Sequence, residues 1–190
     1  DIHLGAGMPK NERVTTDFNF FETHFNGFRP FEIAAVAQQG YLITDPEVLQ
    51  TIEEVEQYAK QYAIINGVQS ITMIYKSMHR AYNGDNPAAY LLPEDTSVLH
   101  RYNRDLSRIS SSEMQLLLSE DKRYGRISAT LSDAGTDSIR MVQSEIQQYI
   151  NKLPNQEKVQ FTITGTGIIF DKNTQYLRRN IISGVLLAFL

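Results

Sequence analysis

Apolar and polar residues alternate cleanly in two places. Over Val159–Thr164, Val159, Phe161 and Ile163 stand against Gln160, Thr162 and Thr164. Over 127–132, Ile127, Ala129 and Leu131 stand against Ser128, Thr130 and Ser132. A period of two predicts strands with one buried face. The run Phe31–Ala37, rich in small residues, reads as a third strand under tight cover, and Val68–Met73 as a fourth. Two stretches keep a three-four spacing instead. Val48, Ile52, Val55, Ala59 and Tyr62 mark one helix, opened by Thr44-Asp45-Pro46-Glu47 and closed at Asn66-Gly67. Ile139, Val142, Ile146, Tyr149, Ile150 and Leu153 mark the other, opened from 133–138 and stopped at Pro154.

The order is therefore β-α-β, an insert, then β-α-β. With right-handed crossovers, two such units most simply make a four-stranded antiparallel sheet with two helices on one face. The fold class is α+β, a ferredoxin-like sandwich. Residues 1–30 form a lead-in, 31–164 the sandwich with its insert at about 74–123, and 165–190 a C-terminal helical segment. Within the insert, 74–82 suits a short helix, Asn83–Pro87 a loop, and Val98, Leu99, Tyr102 and Leu106 a second helical stretch. Ser110–Ser112 is a break. Such an insert is the natural place for a family-specific surface. In the lead-in, Phe18, Phe20, Phe21, Phe25, Phe28 and Phe31 crowd together. The helical spacing of Phe18, Phe21 and Phe25 favours a short helix packed on the domain over an aromatic ligand box.

Polarity drains away along the tail. Asp171, Lys172, Asn173, Gln175, Arg178, Arg179 and Asn180 give way to the uncharged run Ile181–Leu190. At about 1.5 Å per residue that run covers roughly half of a ~30 Å hydrocarbon core. Two readings stay open on pattern alone: a buried terminal helix, or a transmembrane helix cut short where the sequence ends. The opening Asp1-Ile2-His3-Leu4 has neither a basic nor an apolar leader region. We take the chain as part of a longer protein.

Composition narrows the chemistry. The 190 residues are 42% hydrophobic and 21% charged, which is ordinary for a folded domain. A net charge of −4 argues against nucleic acid as a partner. The absence of cysteine removes disulfides, thiolate metal sites and cysteine nucleophiles. His3, His24, His79 and His100 are scattered without ligand spacing, so no metal is expected. Gly165-Thr166-Gly167 lacks the lysine of a phosphate loop and the third glycine of a dinucleotide fingerprint, so no cofactor is expected. Glu53, Glu54 and Glu56 read as the solvated side of an amphipathic helix. No nucleophile–base pair stands out, and the expectation is a module that is not an enzyme.

Three segments carry a resemblance. Phe25-Asn26-Gly27-Phe28-Arg29-Pro30-Phe31-Glu32 precedes the first strand, and Asp45-Pro46-Glu47-Val48-Leu49 opens the first helix. Thr162-Ile163-Thr164-Gly165-Thr166-Gly167-Ile168-Ile169-Phe170-Asp171-Lys172 leads into the tail. In this order and spacing the chain resembles the large extracytoplasmic loop of resistance-nodulation-division (RND) superfamily exporters, in the lipid- and hydrophobe-exporting, MMPL-like branch. The middle matches in layout only, through Leu91-Leu92-Pro93.

The resemblance implies a ferredoxin-like porter domain on the periplasmic side of the inner membrane. Its partners would be a sister porter domain, the membrane through flanking helices absent here, and a hydrophobic or lipid-like substrate. The proton-relay carboxylates would lie in those helices. The resemblance also favours the membrane-span reading of Ile181–Leu190, and Met8-Pro9-Lys10-Asn11 leans towards the second of two such loops. Gly27 and Pro30 would shape the approach to the first strand, with Arg29 and Glu32 pairing nearby charges. Gly165 and Gly167, followed by Asp171, would form the joint to the membrane helix. Tyr75, Tyr82 and Tyr90 are the candidates for a substrate-facing wall. The alternative is a stand-alone ligand-binding or regulatory module, since fold does not set function. An acylphosphatase-like hydrolase fits less well, because Gln38-Gln39-Gly40-Tyr41 offers no arginine. Low-charge surfaces make a homodimer of the isolated domain a further candidate assembly.

Overall fold

The structure, a computed structural model, describes residues 29–106 and 112–164. In chain order these form β1 (Arg29–Ala37), α1 (Pro46–Ala59), β2 (Ile65–Gln69), α2 (Thr72–Tyr82), a single 3-10 turn at Pro87–Ala89, α3 (Thr96–Leu106), α4 (Ser112–Gln115), β3 (Tyr124–Leu131), α5 (Thr136–Asn151) and β4 (Val159–Thr164). The sheet has the order β2-β3-β1-β4 with every neighbouring pair antiparallel. Two β-α-β units thus interleave, each placing its first strand in the centre. That is the expected ferredoxin-like α+β sandwich.

The core follows from the strand alternation. Phe31, Ile33, Ala35 and Ala37 of β1 point inward with Ile127, Ala129 and Leu131 of β3 and Val159 and Phe161 of β4. Against them lie Val48, Leu49, Ile52 and Val55 of α1 and Ile139, Val142, Ile146 and Ile150 of α5. Burying each larger aliphatic or aromatic side chain is worth about 1.5–3 kcal/mol. The opposite sheet face carries Glu32, Arg126, Ser128, Thr130, Gln160 and Thr162, none of them buried.

β1 begins two residues before the expected Phe31, so Arg29 and Pro30 belong to the strand rather than to its approach. Among the described residues the proline costs no rung. Ala37 donates its amide to Arg123 and Gln38 donates to Lys158. Odd residues of β1 therefore bond towards β3 and even ones towards β4. Pro30 faces the β4 side, beyond the last described rung at Glu32–Thr164.

The first unit departs from the sequence reading in three places. Asp45 precedes α1, but its carboxylate accepts the Leu42 amide at 2.8 Å and makes no cap bond. α1 stops at Ala59, which leaves Tyr62 in the following turn. The second strand is Ile65–Gln69 instead of Val68–Met73, and Asn66-Gly67 lies inside it as a bulge. The physical reason is burial of Ile65 opposite Leu131, with Asn66 Nδ2 donating to Ser132 Oγ at 2.9 Å. Gly67 takes φ +62, a backbone that favours glycine. Residues from Thr72 onward are then free to form α2, where Ile71 and Tyr75 fall on one buried face.

The second unit matches its pattern closely. β4 has the expected bounds, and α5 buries the expected stripe except Tyr149, which is half-buried, with Leu153 in the turn after it. The insert is more than a surface. Tyr75, Leu99 and Tyr102 are among the most deeply buried side chains of the domain. The tail beyond Thr164, including Ile181–Leu190, and the aromatic lead-in through Phe28 lie outside the described residues, as do the serines at 110 and 111.

Candidate functional site

Among the described residues, three groups of side chains are organised beyond ordinary core packing. The first is an ionic cluster between α1 and α2. Glu56 is only 1% exposed, and its carboxylate accepts from Thr72 Oγ1 at 2.9 Å and from Lys76 Nζ at 3.3 Å. Lys60, one turn along α1, adds a third contact at 3.4 Å. Lys76 also pairs closely with Glu53. Burial works against the Lys76 ammonium, but the Glu53 and Glu56 carboxylates outweigh it and hold its pKa above the ordinary lysine value. Burial likewise opposes the Glu53 carboxylate, yet bonds from Lys76 and Gln57 leave its pKa below the usual range. Glu53 and Glu56 are therefore not a solvated face. The insert lies across the outer side of α1, and only Glu54 keeps its exposure.

The second group is aromatic, between α2 and α3. Tyr82 stacks on Tyr102 with centroids 5.2 Å apart and planes at 9°. The Arg101 guanidinium lies 5.0 Å from the Tyr82 ring and 5.4 Å from Tyr102. Tyr82 donates its hydroxyl to Asp105 at 2.8 Å, and that bond pushes the Tyr82 phenol up. The Tyr102 hydroxyl meets His79 Nδ1 at 2.9 Å.

The third is a shallow recess on the open sheet face, about 310 Å³ in volume. Glu32, Ala34, Tyr124, Arg126 and Thr164 form its floor, and 115–119 form one wall. Arg126 reaches Glu32 at 3.6 Å, a loose and half-exposed pair worth little by itself. Leu116 and Tyr124 both stand exposed beside it.

The three candidate tyrosines do not share one wall. Tyr75 is 0% exposed, against 55% for Tyr82 and 46% for Tyr90. The Tyr75 hydroxyl donates to Asn103, whose own amide donates to the Thr44 carbonyl at 2.9 Å, and burial pushes this phenol up. Arg29 pairs with Asp133 at 3.4 Å, while Glu32 pairs with Arg126. Gly27, Gly165, Gly167 and Asp171 lie outside the described residues.

Neither the recess nor the ionic cluster was anticipated. Only the second left a trace in the sequence: Glu56 sits in phase with Ile52, Val55 and Ala59, one turn before Lys60. Nothing local could reveal the recess, because its floor comes from three strands far apart in the chain. No group of three or more His, Asp and Glu among the described residues is placed to hold a metal ion, and no described helix is long and apolar enough to cross a membrane. Compared with known proteins, the chain matches no family model and no curated protein.

Proposed function

We propose that this chain is an extracytoplasmic porter domain of a proton-driven RND-type exporter, helping to bind and pass hydrophobic or amphiphilic substrates. The observation that carries the reading is that β1 and β4 are antiparallel neighbours, so that the start of one lies beside the end of the other. Thr164, at the end of β4, lies opposite Glu32, three positions from Arg29 at the start of β1. At about 3.3 Å per residue, those two strand ends are roughly 10 Å apart along the sheet. That arrangement suits a domain strung between two consecutive membrane helices. The sandwich order supports the same reading, and so do the three sequence segments quoted above. Tyr82 and Tyr90 are then the insert side chains available to a substrate, whereas Tyr75 serves the core.

This chain has no cysteine, so in a full-length protein with any cysteines outside it replaced, single-cysteine labelling tests the placement. In cells making the full-length protein, Tyr90→Cys should react with a membrane-impermeant maleimide before lysis, and the protein should sediment with membranes. Labelling only after lysis, or a fully soluble protein, would refute the exporter reading. The recess beside Arg126 favours a second reading, a stand-alone ligand-binding module, and a soluble full-length product would support it.

A further inference from the structure

The sheet has two edges, and they are built differently. β2 is five residues long, interrupted by the bulge between Asn66 and Gln69, and carries Gly67. Such an edge resists further pairing. β4 runs against β1 in unbroken one-to-one register from Val159–Ala37 to Thr164–Glu32. Its sequence, Val-Gln-Phe-Thr-Ile-Thr, contains no charge, no proline and no glycine. Among the described residues nothing pairs with its outer side.

The hydrogen-bond phase defines which groups that outer side offers. Gln38 donates to Lys158, so Gln160, Thr162 and Thr164 bond inward to β1. Val159, Phe161 and Ile163 direct their amides and carbonyls outward. Val159 N–H is already taken by the Asn155 carbonyl at 3.1 Å. Phe161 and Ile163 remain, with two donors and two acceptors between them.

We infer that this edge pairs with the β4 edge of a second copy of the chain, antiparallel about a twofold axis at Thr162. In that register Phe161 of each copy faces Ile163 of the other. Four backbone hydrogen bonds form, and they use both donors and both acceptors of Phe161 and Ile163 in each copy. A twofold axis at Phe161 would instead set Ile163 against Val159, whose amide is engaged. Side chains agree with the same register. Phe161 and Ile163 meet on the helix-covered face as two apolar cross-strand pairs. On the open face Thr162 meets Thr162, and Gln160 meets Thr164. No rung opposes like charges. The contact is small by the standard of stable dimers, so the association is reversible, in the micromolar to millimolar range. This inference does not rest on the exporter reading.

Thr162 is exposed and sits on the axis, so changing it spares the core. In sedimentation experiments on the 190-residue chain, from about 10 µM to about 1 mM, the mass should rise from one chain towards two. Thr162→Lys places like charges face to face and should abolish the rise without lowering the monomer's melting temperature. Thr162→Cys should form a disulfide dimer on mild oxidation, since facing residues of a non-hydrogen-bonded pair lie about 4.5 Å apart. Gln160→Cys should not, because its counterpart would be four residues out of register. A wild type that stays monomeric throughout, a Thr162→Lys variant that still associates, or equal cross-linking of both cysteine variants would each overturn the pairing. A strand from elsewhere in the chain covering this edge would show as the first of these.

Discussion

The two crossover helices do the same topological job by opposite means. α5 meets the sheet with an apolar stripe, Ile139, Val142, Ile146 and Ile150, and leaves its outer side to water. Where it touches α1, half-buried tyrosines do the joining. Tyr149 stacks on Tyr58 with centroids 3.8 Å apart and planes at 3°, and Tyr62 donates to Glu145 at 2.8 Å. α1 has the same apolar inner stripe but a second layer on its outer side, where α2 and α3 of the insert cover it. Its outward Glu56 is therefore cut off from water and must find partners in Lys76 and Thr72. A carboxylate on the polar side of a helix is thus solvated only if nothing later in the chain lies over it.

The largest effect should come from breaking that cluster on one side. Lys76→Met leaves the Glu56 and Glu53 carboxylates without their shared ammonium, with Glu56 in a site that water does not reach. Removing one partner of a buried pair costs about 3–5 kcal/mol. Denaturant unfolding should show that loss for Lys76→Met alone. The double variant Glu56→Leu/Lys76→Met should recover a good part of it, because no stranded charge remains at position 56. Similar stability for single and double variants would mean that the cluster is a surface feature after all.

On the α5 side the matching experiment is a cavity. Ile146 is 0% exposed between helix and sheet, and Ile146→Ala should cost about 2–5 kcal/mol. No variant elsewhere should rescue it as a partner change rescues Lys76→Met. A loss under about 1 kcal/mol would show that the stripe is looser than its burial implies.

Acid should act on α1 through Glu53. Glu53 has its folded pKa below the ordinary 4.5, so the unfolded chain binds its proton first as pH falls. Its contribution is present above about pH 4.5 and drains away as pH drops through the lower folded value. Lys76 works at the other end. Its folded pKa lies above 10.5, so its contribution is present below that value and is lost only as pH rises through the folded one. Between those limits the Glu53–Lys76 pair should be insensitive to pH. Thermal melts should show the wild type losing stability below about pH 4.5 more steeply than Glu53→Gln. Parallel curves would exclude Glu53 as the source.

The same contrast explains what was legible in the sequence. The second unit could be read almost residue by residue, because strict alternation over Val159–Thr164 admits one face inward and the α5 stripe admits one helix. The first unit misled at Asn66-Gly67. A glycine after a helical pattern and a glycine in a bulge leave the same trace, and only the burial of Ile65 against Leu131 separates them. Tyr75 and Glu56 misled for a shared reason. Each takes its environment from an element distant in sequence, α3 through Asn103 for the one and α2 through Lys76 for the other. The recess was invisible on the same grounds, since Glu32, Arg126 and Thr164 converge only once the sheet is assembled.

At β2, where the first unit departs from the second, a change should cost little. Gly67 holds φ +62 and a Cβ there would meet nothing within 4 Å. Substitution therefore costs backbone energy alone, without a clash. Gly67→Ala should lower stability by about 1 kcal/mol, the ordinary penalty for a side chain in the left-handed region. Gly67→Asn should cost clearly less, because asparagine tolerates that region through its short polar side chain. The ranking glycine, asparagine, alanine in denaturant midpoint is the signature of a positive-φ bulge. With β2 as described, the Ile65 amide donates to the Tyr62 carbonyl at 2.9 Å, and its protection should fall with global stability in Gly67→Ala.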